Sequence, residues 1–400
     1  MEEIVVNRFK TYRKLRWVRS NYLWQPGVNK YLKQFNITVN DESNLSCDVL
    51  AIPLPHLPGK ENFSHEDTYL FIQKGLRGEF DYQDVPILCD SSFDYAYLGP
   101  VTRQLLEFPQ VRLFSPSIAY RDDVCQWRKS ASGEYYGSVY DNVVHYHQPP
   151  DRKAYRPEFP LDIQHKIKQP IRPPTAPLTD EVIEYVLKKR KSLKERPIDV
   201  AFAGRINYGM GNTSYSSGNR NLMLAAFNKL KVSNKFLLTY DNYAGTKRLG
   251  KPCKKLKYPY EYLDNLMDSK IVLSPWGWGT WCIRDFEALI CGCIVVKPPC
   301  TNTLAYPDIY NPNKQFFVWT DLMWSTLEPT VDYCLSHLNE FQPRALEASK
   351  FILGHIYPNA KLHYHWTKNI RAYLEECCNT RSYTAAENIP GEGYRVFKQD

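Results

Sequence analysis

The C-terminal half of the chain alternates short apolar runs with helical patterns, and this alternation limits the fold more than any other feature. Apolar runs predict buried strands over residues 198–203, 235–240, 270–274 and 293–297. Helical periodicity predicts helices between them, over residues 220–230, 260–268 and 280–291. Strands joined through helices across short loops form a parallel sheet with helices on both faces. The sequence therefore predicts a doubly wound α/β domain.

The length of 400 residues exceeds one ordinary core, so we expect two domains of similar size. In the first half, apolar runs at 47–52, 85–89 and 111–114 again indicate an α/β pattern. Residues 147–178 include eight prolines, which predicts a connection, and a charged helix is expected over 179–196. The expected boundaries are 1–175, 176–370 and a tail, 371–400, that packs back on the N-terminal domain.

Composition is that of a globular protein, with 43% apolar and 24% charged residues. The 29 tyrosines and 9 tryptophans suit stacking on sugars or bases, and the net charge of +8 suits an anionic partner. No apolar run reaches the length of a signal peptide or a membrane span, so the eleven cysteines are expected to be reduced thiols in a cytoplasmic protein. A luminal protein truncated before its anchor would share these features.

The segment 271–297 has the pattern expected of a phosphate site. Gly277 and Gly279 allow a backbone to approach a ligand, and the helix predicted to start at Thr280 would direct its free N–H groups to the same place. Ser274 and Trp278 belong to this loop and are candidate ligands. A Gly-x-Gly pair alone is weak evidence, because many turns contain one.

Arg284 and Glu287 make the segment more specific. Three residues apart on a helix, they share a face and are offset by roughly 4.5 Å along the axis. The guanidinium could bind a pyrophosphate bidentately, and the carboxylate could accept hydrogen bonds from ribose hydroxyls. The alternative is a surface ion pair. Apolar neighbours argue against it: Ile283, Phe286, Ala288 and Leu289.

Ser-Pro-Trp-Gly-Trp-Gly from residue 274 and Arg-Asp-Phe-Glu-Ala-Leu-Ile-Cys-Gly from residue 284 resemble the donor-site signature of exostosin-like glycosyltransferases. A looser resemblance covers residues 199–321, including Ala-Phe-Ala-Gly-Arg at 201–205. The resemblance implies the GT-B fold, two Rossmann-like doubly wound domains facing across a cleft. It implies an acceptor-binding N-terminal domain and a C-terminal domain that binds a nucleotide sugar.

By the same resemblance, Arg284 binds the diphosphate, Glu287 binds the ribose and Arg205 is a second phosphate ligand. The donor would be a UDP-sugar, for which UDP-xylose is one family precedent, and the acceptor a hydroxyl of a glycan. Two further positions are candidate donor contacts on their residue type and place in the predicted elements. Arg220 could reach the phosphates or be a solvated surface residue, and Tyr240, at a strand end, could form the base pocket.

The chain contains no Asp-x-Asp motif, which favours neutralisation of the diphosphate by arginines and a helix N-terminus, with no metal and no cofactor besides the donor. An inverting transfer needs a general base within hydrogen-bond reach of the acceptor. Asp90 ranks first because it follows an apolar run and would lie at the carboxyl end of a strand. Asp94 and His145 are the other candidates. A retaining enzyme would need no such base.

Two basic runs, at 188–196 and 247–257, leave another class of protein open. Such runs attract the phosphates of nucleic acids, although most are solvated faces. We expect no nucleic-acid partner, because the chain carries no recognisable nucleic-acid module. A non-catalytic glycan-binding protein is the remaining alternative, and it would not need Arg284 and Glu287 beside a glycine loop.

Overall fold

A computed structural model describes residues 2–8, 31–40, 47–54, 86–91, 97–98, 111–114, 126–129, 135–138, 167–168, 178–206, 215–241, 245–249, 251–254, 256–276, 282–299, 307–321 and 323–379. The chain divides into two compact units. The first comprises Met1–Ser138, Lys153–Arg172 and His363–Asp400, and the second comprises Val139–Arg152 and Pro173–Leu362.

The first unit contains a six-stranded sheet in which all neighbouring strands are parallel. Its strands are β1 (Ile4–Arg8), β2 (Ile37–Asn40), β3 (Val49–Leu54), β4 (Ile87–Ser91), β6 (Val111–Phe114) and β9 (Ile167–Lys168). The order β2-β1-β3-β4-β6-β9 reverses direction between β1 and β3. Three further strands form a small antiparallel sheet: β5 (Tyr97–Leu98), β7 (Gln126–Lys129) and β8 (Tyr135–Ser138).

The second unit contains a seven-stranded sheet in the order β13-β12-β11-β10-β14-β15-β16. Five strands are parallel: β10 (Ile198–Arg205), β11 (Lys235–Asp241), β14 (Ser269–Leu273), β15 (Ile294–Lys297) and β16 (Phe317–Trp319). An antiparallel hairpin of β12 (Gly245–Arg248) and β13 (Lys251–Pro252) extends the edge beyond β11. The order reverses direction between β10 and β14, so this is the topological switch point of the sheet.

Helices also belong to the second unit. They are α1 (Asp180–Lys189), α2 (Tyr215–Lys229), α3 (Tyr260–Met267), α4 (Ile283–Ile290), α5 (Leu327–Ser336) and α6 (Leu338–Ile356). Thr179 caps α1, because its side chain accepts a hydrogen bond from the Val182 N–H at 3.3 Å. The last helix, α7 (Asn359–Asn379), reaches the first unit, where Arg371 donates to the carbonyl oxygens of Phe35 and Asn36.

Alternate residues of β10 pack on opposite faces of the sheet, as a strand's twofold period requires. Val200 and Phe202 belong to a core that α2 and α5 complete with Phe227 and Leu327. Ala201 and Ala203 belong to a second cluster, which Tyr262 of α3 covers. Both faces of this sheet are therefore covered by helices. Together with the parallel sheet of the first unit, this confirms the predicted α/β class with two Rossmann-like domains.

Several predicted boundaries were wrong. The helix expected over 179–196 ends at Lys189 and is followed by a separate 3-10 turn, Leu193–Glu195. The helix expected from Thr280 begins at Ile283. The short strands β1 and β2 and the β12–β13 hairpin were not predicted, because the apolar runs of β1 and β2 are no longer than three residues and lysines and an arginine dominate the hairpin. Among the described residues, no helix has the length and apolar character needed to cross a membrane.

Candidate functional site

The switch point between β10 and β14 is held together by a buried arginine. Arg220 of α2 is 3% exposed; its Nε donates to the carbonyl oxygen of Trp276 at 2.9 Å, and its Nη1 donates to that of Arg205. Arg205 is the last residue of β10, and Trp276 follows the end of β14. One planar guanidinium therefore joins the carboxyl ends of both strands. The alternative of a solvated surface arginine at position 220 was wrong.

Arg284 comes to the same edge from the first turn of α4. Its Nη2 donates to the carbonyl oxygen of Ala203 at 2.8 Å, and its guanidinium carbon lies 4.7 Å from the ring centre of Phe202. Only 8% of the residue is exposed. The helix therefore carries a fixed positive charge to the carboxyl end of β10. This is the edge at which doubly wound sheets bind ligands.

Gly204 provides the room for this arginine. A Cβ added at position 204 would lie 2.1 Å from Nη2 of Arg284 and 3.1 Å from the ring of Phe202. No side chain fits at such a distance without displacing the guanidinium. Arg205 follows at the end of β10 and is half-buried.

Glu287 lies one turn after Arg284 and is 4% exposed. The Tyr258 hydroxyl donates to its Oε1 at 2.8 Å, and Tyr262 donates to the same carboxylate. Burial raises the pKa of Glu287, while the tyrosine hydroxyls and the positive charge of Arg284 oppose that rise. The site thus contains a desolvated carboxylate that accepts hydrogen bonds from hydroxyl groups. Arg284 and Glu287 are not a surface ion pair, since both are buried.

The start of α4 is fixed by the carboxylate of Asp285, which no solvent reaches. It accepts from the backbone N–H of the N-cap residue Cys282 at 3.0 Å and from the Ser274 hydroxyl at 2.5 Å. The Tyr310 hydroxyl also donates to it, and Lys297 Nζ lies 3.1 Å from Oδ2 with both side chains fully buried. Burial, more than any other effect, raises the pKa of the Cys282 thiol beside this carboxylate.

This network changes the electrostatics of the helix N-terminus. An aspartate in the first turn stabilises the helix but would repel an anionic ligand bound there. Lys297 neutralises the negative charge of Asp285. Asp285 therefore does not cancel the positive charge of Arg284 or the partial positive charge of the helix N-terminus. Ser274, a predicted ligand, is fully buried and donates its hydroxyl to Asp285.

Several predicted site residues lie outside what the structure describes. Gly277, Trp278, Gly279 and Thr280 are outside the described residues, as are Asp94 and His145. Only the backbone is described at Tyr240, in β11, and at Asp90, the fourth residue of β4. Asp90 pairs with Pro53 and Phe114 near the carboxyl end of its sheet, one strand from the switch point between β1 and β3.

Residues of the site that were not predicted include Lys297, Tyr310, Tyr258 and Asn219. Asn219 accepts from the Trp276 N–H at 3.2 Å and from Trp324 Nε1 at 3.3 Å, which fixes Trp276, the third residue after β14. Lys297 had a signal in the sequence, because a lysine that ends the run Ile-Val-Val needs a buried partner. The described residues bring together no three His, Cys, Asp or Glu side chains as a metal site requires.

Comparison with solved structures finds distant likenesses. A UDP-GlcNAc 2-epimerase from Neisseria meningitidis, bound to UDP-GlcNAc, is 11% identical over 94% of this chain and 100% of its own, with a TM-score of 0.36. A putative UDP-N-acetylglucosamine 2-epimerase from Listeria monocytogenes is 11% identical over 94% and 98%, with a TM-score of 0.37. The glycotransferase of kitacinnamycin is 10% identical over 93% and 99%, with a TM-score of 0.36.

No protein-family model and no curated protein sequence matches the chain. The likenesses to solved structures are too distant to assign a family or an activity. Membership of the exostosin-like glycosyltransferases therefore stays a prediction from the motif at residues 274–292.

Proposed function

We infer that the protein is a glycosyltransferase that takes a sugar from a nucleotide donor bound at the switch point of the second sheet. One observation carries this proposal: α4 places Arg284 against the Ala203 carbonyl at the carboxyl end of β10, with the buried carboxylate of Glu287 one turn later. A cation followed one helical turn later by a carboxylate, which can accept hydrogen bonds from hydroxyl groups, matches the order of a nucleotide, whose diphosphate is bonded to its ribose.

The diphosphate would be bound by positive charge from three sources. Arg284 presents a guanidinium, whose fork suits phosphate oxygens. The N-terminus of α4 adds a partial positive charge, which Lys297 preserves by neutralising Asp285. Arg205, half-buried at the end of β10, is the second phosphate ligand in this proposal. With these cations the leaving diphosphate needs no metal, in keeping with the absence of an Asp-x-Asp motif.

The ribose would be bound by Glu287. A buried carboxylate that already accepts from the hydroxyl of Tyr258 can accept from a vicinal diol in the same way. We further propose a UDP-sugar as donor, with UDP-xylose among the sugars to test, and a glycan hydroxyl as acceptor. Tyr240, near the end of β11, is the proposed contact for the base.

In the proposed inverting reaction, the acceptor oxygen forms a bond to the anomeric carbon while the bond from that carbon to the diphosphate oxygen breaks. The nucleoside diphosphate leaves with the electron pair, and a general base takes the proton of the acceptor. Asp90 is the proposed base, because strand ends are where such folds place reactive groups. Asp90→Asn should abolish transfer and leave nucleotide binding intact. Retained turnover would remove Asp90 from this role.

Thermal unfolding with UDP, GDP and ADP tests the donor site. We expect one nucleotide, UDP, to raise the melting temperature, because a ligand that binds only the folded state stabilises it. Arg284→Ala should weaken the binding of that nucleotide by at least about tenfold, the usual effect of losing a charged hydrogen bond. Arg344→Ala is the matched control, since Arg344 also lies over an aromatic ring, Phe341, but is exposed on α6.

Release of UDP from candidate sugar donors then separates an enzyme from a binding protein. UDP-xylose, UDP-glucuronate and UDP-N-acetylglucosamine are the donors to compare. Slow release without an acceptor, lost in Arg284→Ala, would support transferase chemistry. Binding of UDP with no release from any donor would favour the non-catalytic alternative, and no response to any nucleotide would refute the donor site itself.

A further inference from the structure

The basic run that the donor site leaves unused forms a defined element of the fold. We call residues 245–257 the basic hairpin, whose described part comprises β12, Leu249, β13 and residues 253–254 and 256–257 before α3. Six lysines and arginines lie in this stretch, and no acidic residue occurs between Asp241 and Glu261. Lys251, Lys254 and Lys257 are exposed. The Glu261 carboxylate ends this acid-free stretch and accepts from the backbone N–H of Lys257 at 2.7 Å.

The tip of the basic hairpin points away from the donor site. Gly245 pairs with Asp241 at the carboxyl end of β11, and Arg248 pairs with Leu238 further back along that strand. The N–H of Leu249 then bonds the Leu237 carbonyl at 2.9 Å. Because a strand rises about 3.3 Å per residue, four residues place the tip about 13 Å from the carboxyl edge. The charges at the tip therefore lie away from the proposed diphosphate site.

Leu249 at the tip is an outlier in two respects. It is 52% exposed, the most of any large apolar residue among those described, and its backbone has a φ of +47°. Glycine, asparagine and aspartate are the usual residues in that conformation, and a solvated turn would favour them. Lysines on an edge strand prevent sheets from pairing, but that role needs no exposed leucine.

We propose that the basic hairpin docks the protein on an anionic lipid surface. Its lysines would contact the headgroups, and Leu249 would enter the apolar boundary beneath them. An aliphatic tip between cations favours lipid over nucleic acid, since proteins that bind single-stranded nucleic acids add aromatic rings for stacking. The exposed ring that follows the hairpin, Tyr258, is bonded to Glu287 in the donor site. The hairpin would thereby position the chain on a membrane surface.

Vesicle flotation tests this proposal with the full-length protein. We expect binding to vesicles of phosphatidylcholine and phosphatidylserine in equal parts, little binding to phosphatidylcholine alone, and weakening by added salt. The double variant Lys251→Gln, Lys254→Gln should bind about 25-fold more weakly, because each cation near such a surface contributes about fivefold. Leu249→Asn should weaken binding by roughly tenfold. Asparagine tolerates the left-handed backbone, so the variant should keep its melting temperature.

Leu187→Asn is the matched control, because Leu187 is also an exposed leucine next to two lysines but lies in the regular helix α1. Its binding should equal that of the native chain. Equal loss in both leucine variants, or no preference for the anionic vesicles, would overturn the proposal. So would binding to heparin or single-stranded RNA that depends on the lysines while vesicle binding does not. The UDP-induced stabilisation should be unchanged in every hairpin variant.

Discussion

The guanidinium of Arg284 occupies the space that a side chain at position 204 would need. The two residues are eighty positions apart, yet Nη2 of Arg284 lies 2.1 Å from where the Cβ of an alanine at 204 would be. The backbone contact of this arginine, to the Ala203 carbonyl, is one residue away. Arg284 can therefore take its observed position only if residue 204 is glycine. The segments that contain Gly204 and Arg284 thus form one site.

Gly204→Ala should displace Arg284 and so weaken nucleotide binding. Overlap of this kind costs about 1–3 kcal/mol of unfolding free energy, because the neighbouring groups have to shift. Denaturant unfolding and the UDP-induced melting shift measure the two effects. Gly354→Ala is the control: nothing lies within 4 Å of a Cβ there, in the last turn of α6, so alanine should be accommodated and stabilise by at most about 0.5–1 kcal/mol. Native UDP affinity in Gly204→Ala would show that the guanidinium does not bind the diphosphate.

Glu287 makes stability depend on pH in a defined direction. Burial raises its pKa above the ordinary 4.5, so the protonated carboxyl stabilises the fold fully below pH 4.5 and this contribution is lost as the pH rises through the folded pKa. Glutamine does not ionise. Relative to the native protein, Glu287→Gln should therefore become more stable as the pH increases from 4.5.

Melting temperatures of the two proteins across that pH range provide the measurement. The charged or titratable groups that act on Glu287 are Tyr258, Tyr262, Arg284 and Asp285, and all four remain in the variant. Glu347→Gln, at an exposed position of α6, controls for the loss of one carboxylate. A difference in melting temperature between Glu287→Gln and the native protein that does not change with pH would contradict the raised pKa.

The part of the fold that could be predicted from sequence is the part encoded locally. The strands β10, β11, β14 and β15 are apolar on both faces, so runs of such residues sufficed to find them. The spacing of Arg284 and Glu287 is likewise a property of one helix. By contrast, the contact of Gly204 with Arg284 depends on how α4 crosses the end of β10, which no local pattern encodes.

Residues that reach the site from other elements were missed for the same reason. Tyr310 and Lys297 meet Asp285 only after the sheet has formed, and Tyr258 precedes α3 in a stretch whose lysines dominate its pattern. Arg220 had two interpretations in the sequence, and its burial against the carbonyls of Arg205 and Trp276 excluded the solvated surface residue. Tertiary placement, rather than residue type, determined these roles.

Arg220→Lys should loosen the switch point. A lysine carries the charge but lacks the planar fork that bonds two carbonyls at once. We expect a loss of about 1.5–3 kcal/mol of unfolding free energy, the range for hydrogen bonds to charged groups, together with weaker nucleotide binding. Arg344→Lys, on the exposed face of α6, should change neither quantity. If Arg220→Lys left stability and affinity at native values, the bridge between β10 and β14 would not matter to the site.

The buried pair of Asp285 and Lys297 should affect stability and binding differently. Removing one partner leaves the other charge buried and alone, which costs about 3–5 kcal/mol in unfolding free energy, so both Asp285→Asn and Lys297→Met should be strongly destabilised. The double variant should be less destabilised than the sum of the two. For nucleotide binding the two single changes should have opposite effects. Lys297→Met leaves a negative charge at the start of α4 and should weaken the binding of UDP. Asp285→Asn leaves a positive charge there and should not weaken it.

Titration calorimetry on the folded fraction, at a temperature below both transitions, measures this contrast. A weaker affinity in both single variants would mean that the pair only supports the helix start, through the bonds from Cys282 and Ser274 to the Asp285 carboxylate. Weakening by Lys297→Met alone would mean that the lysine sets the local charge. The second result is expected, because Lys297 Nζ is 3.1 Å from the only carboxylate in the first turn of α4. A buried lysine would then act on the donor's diphosphate without touching it.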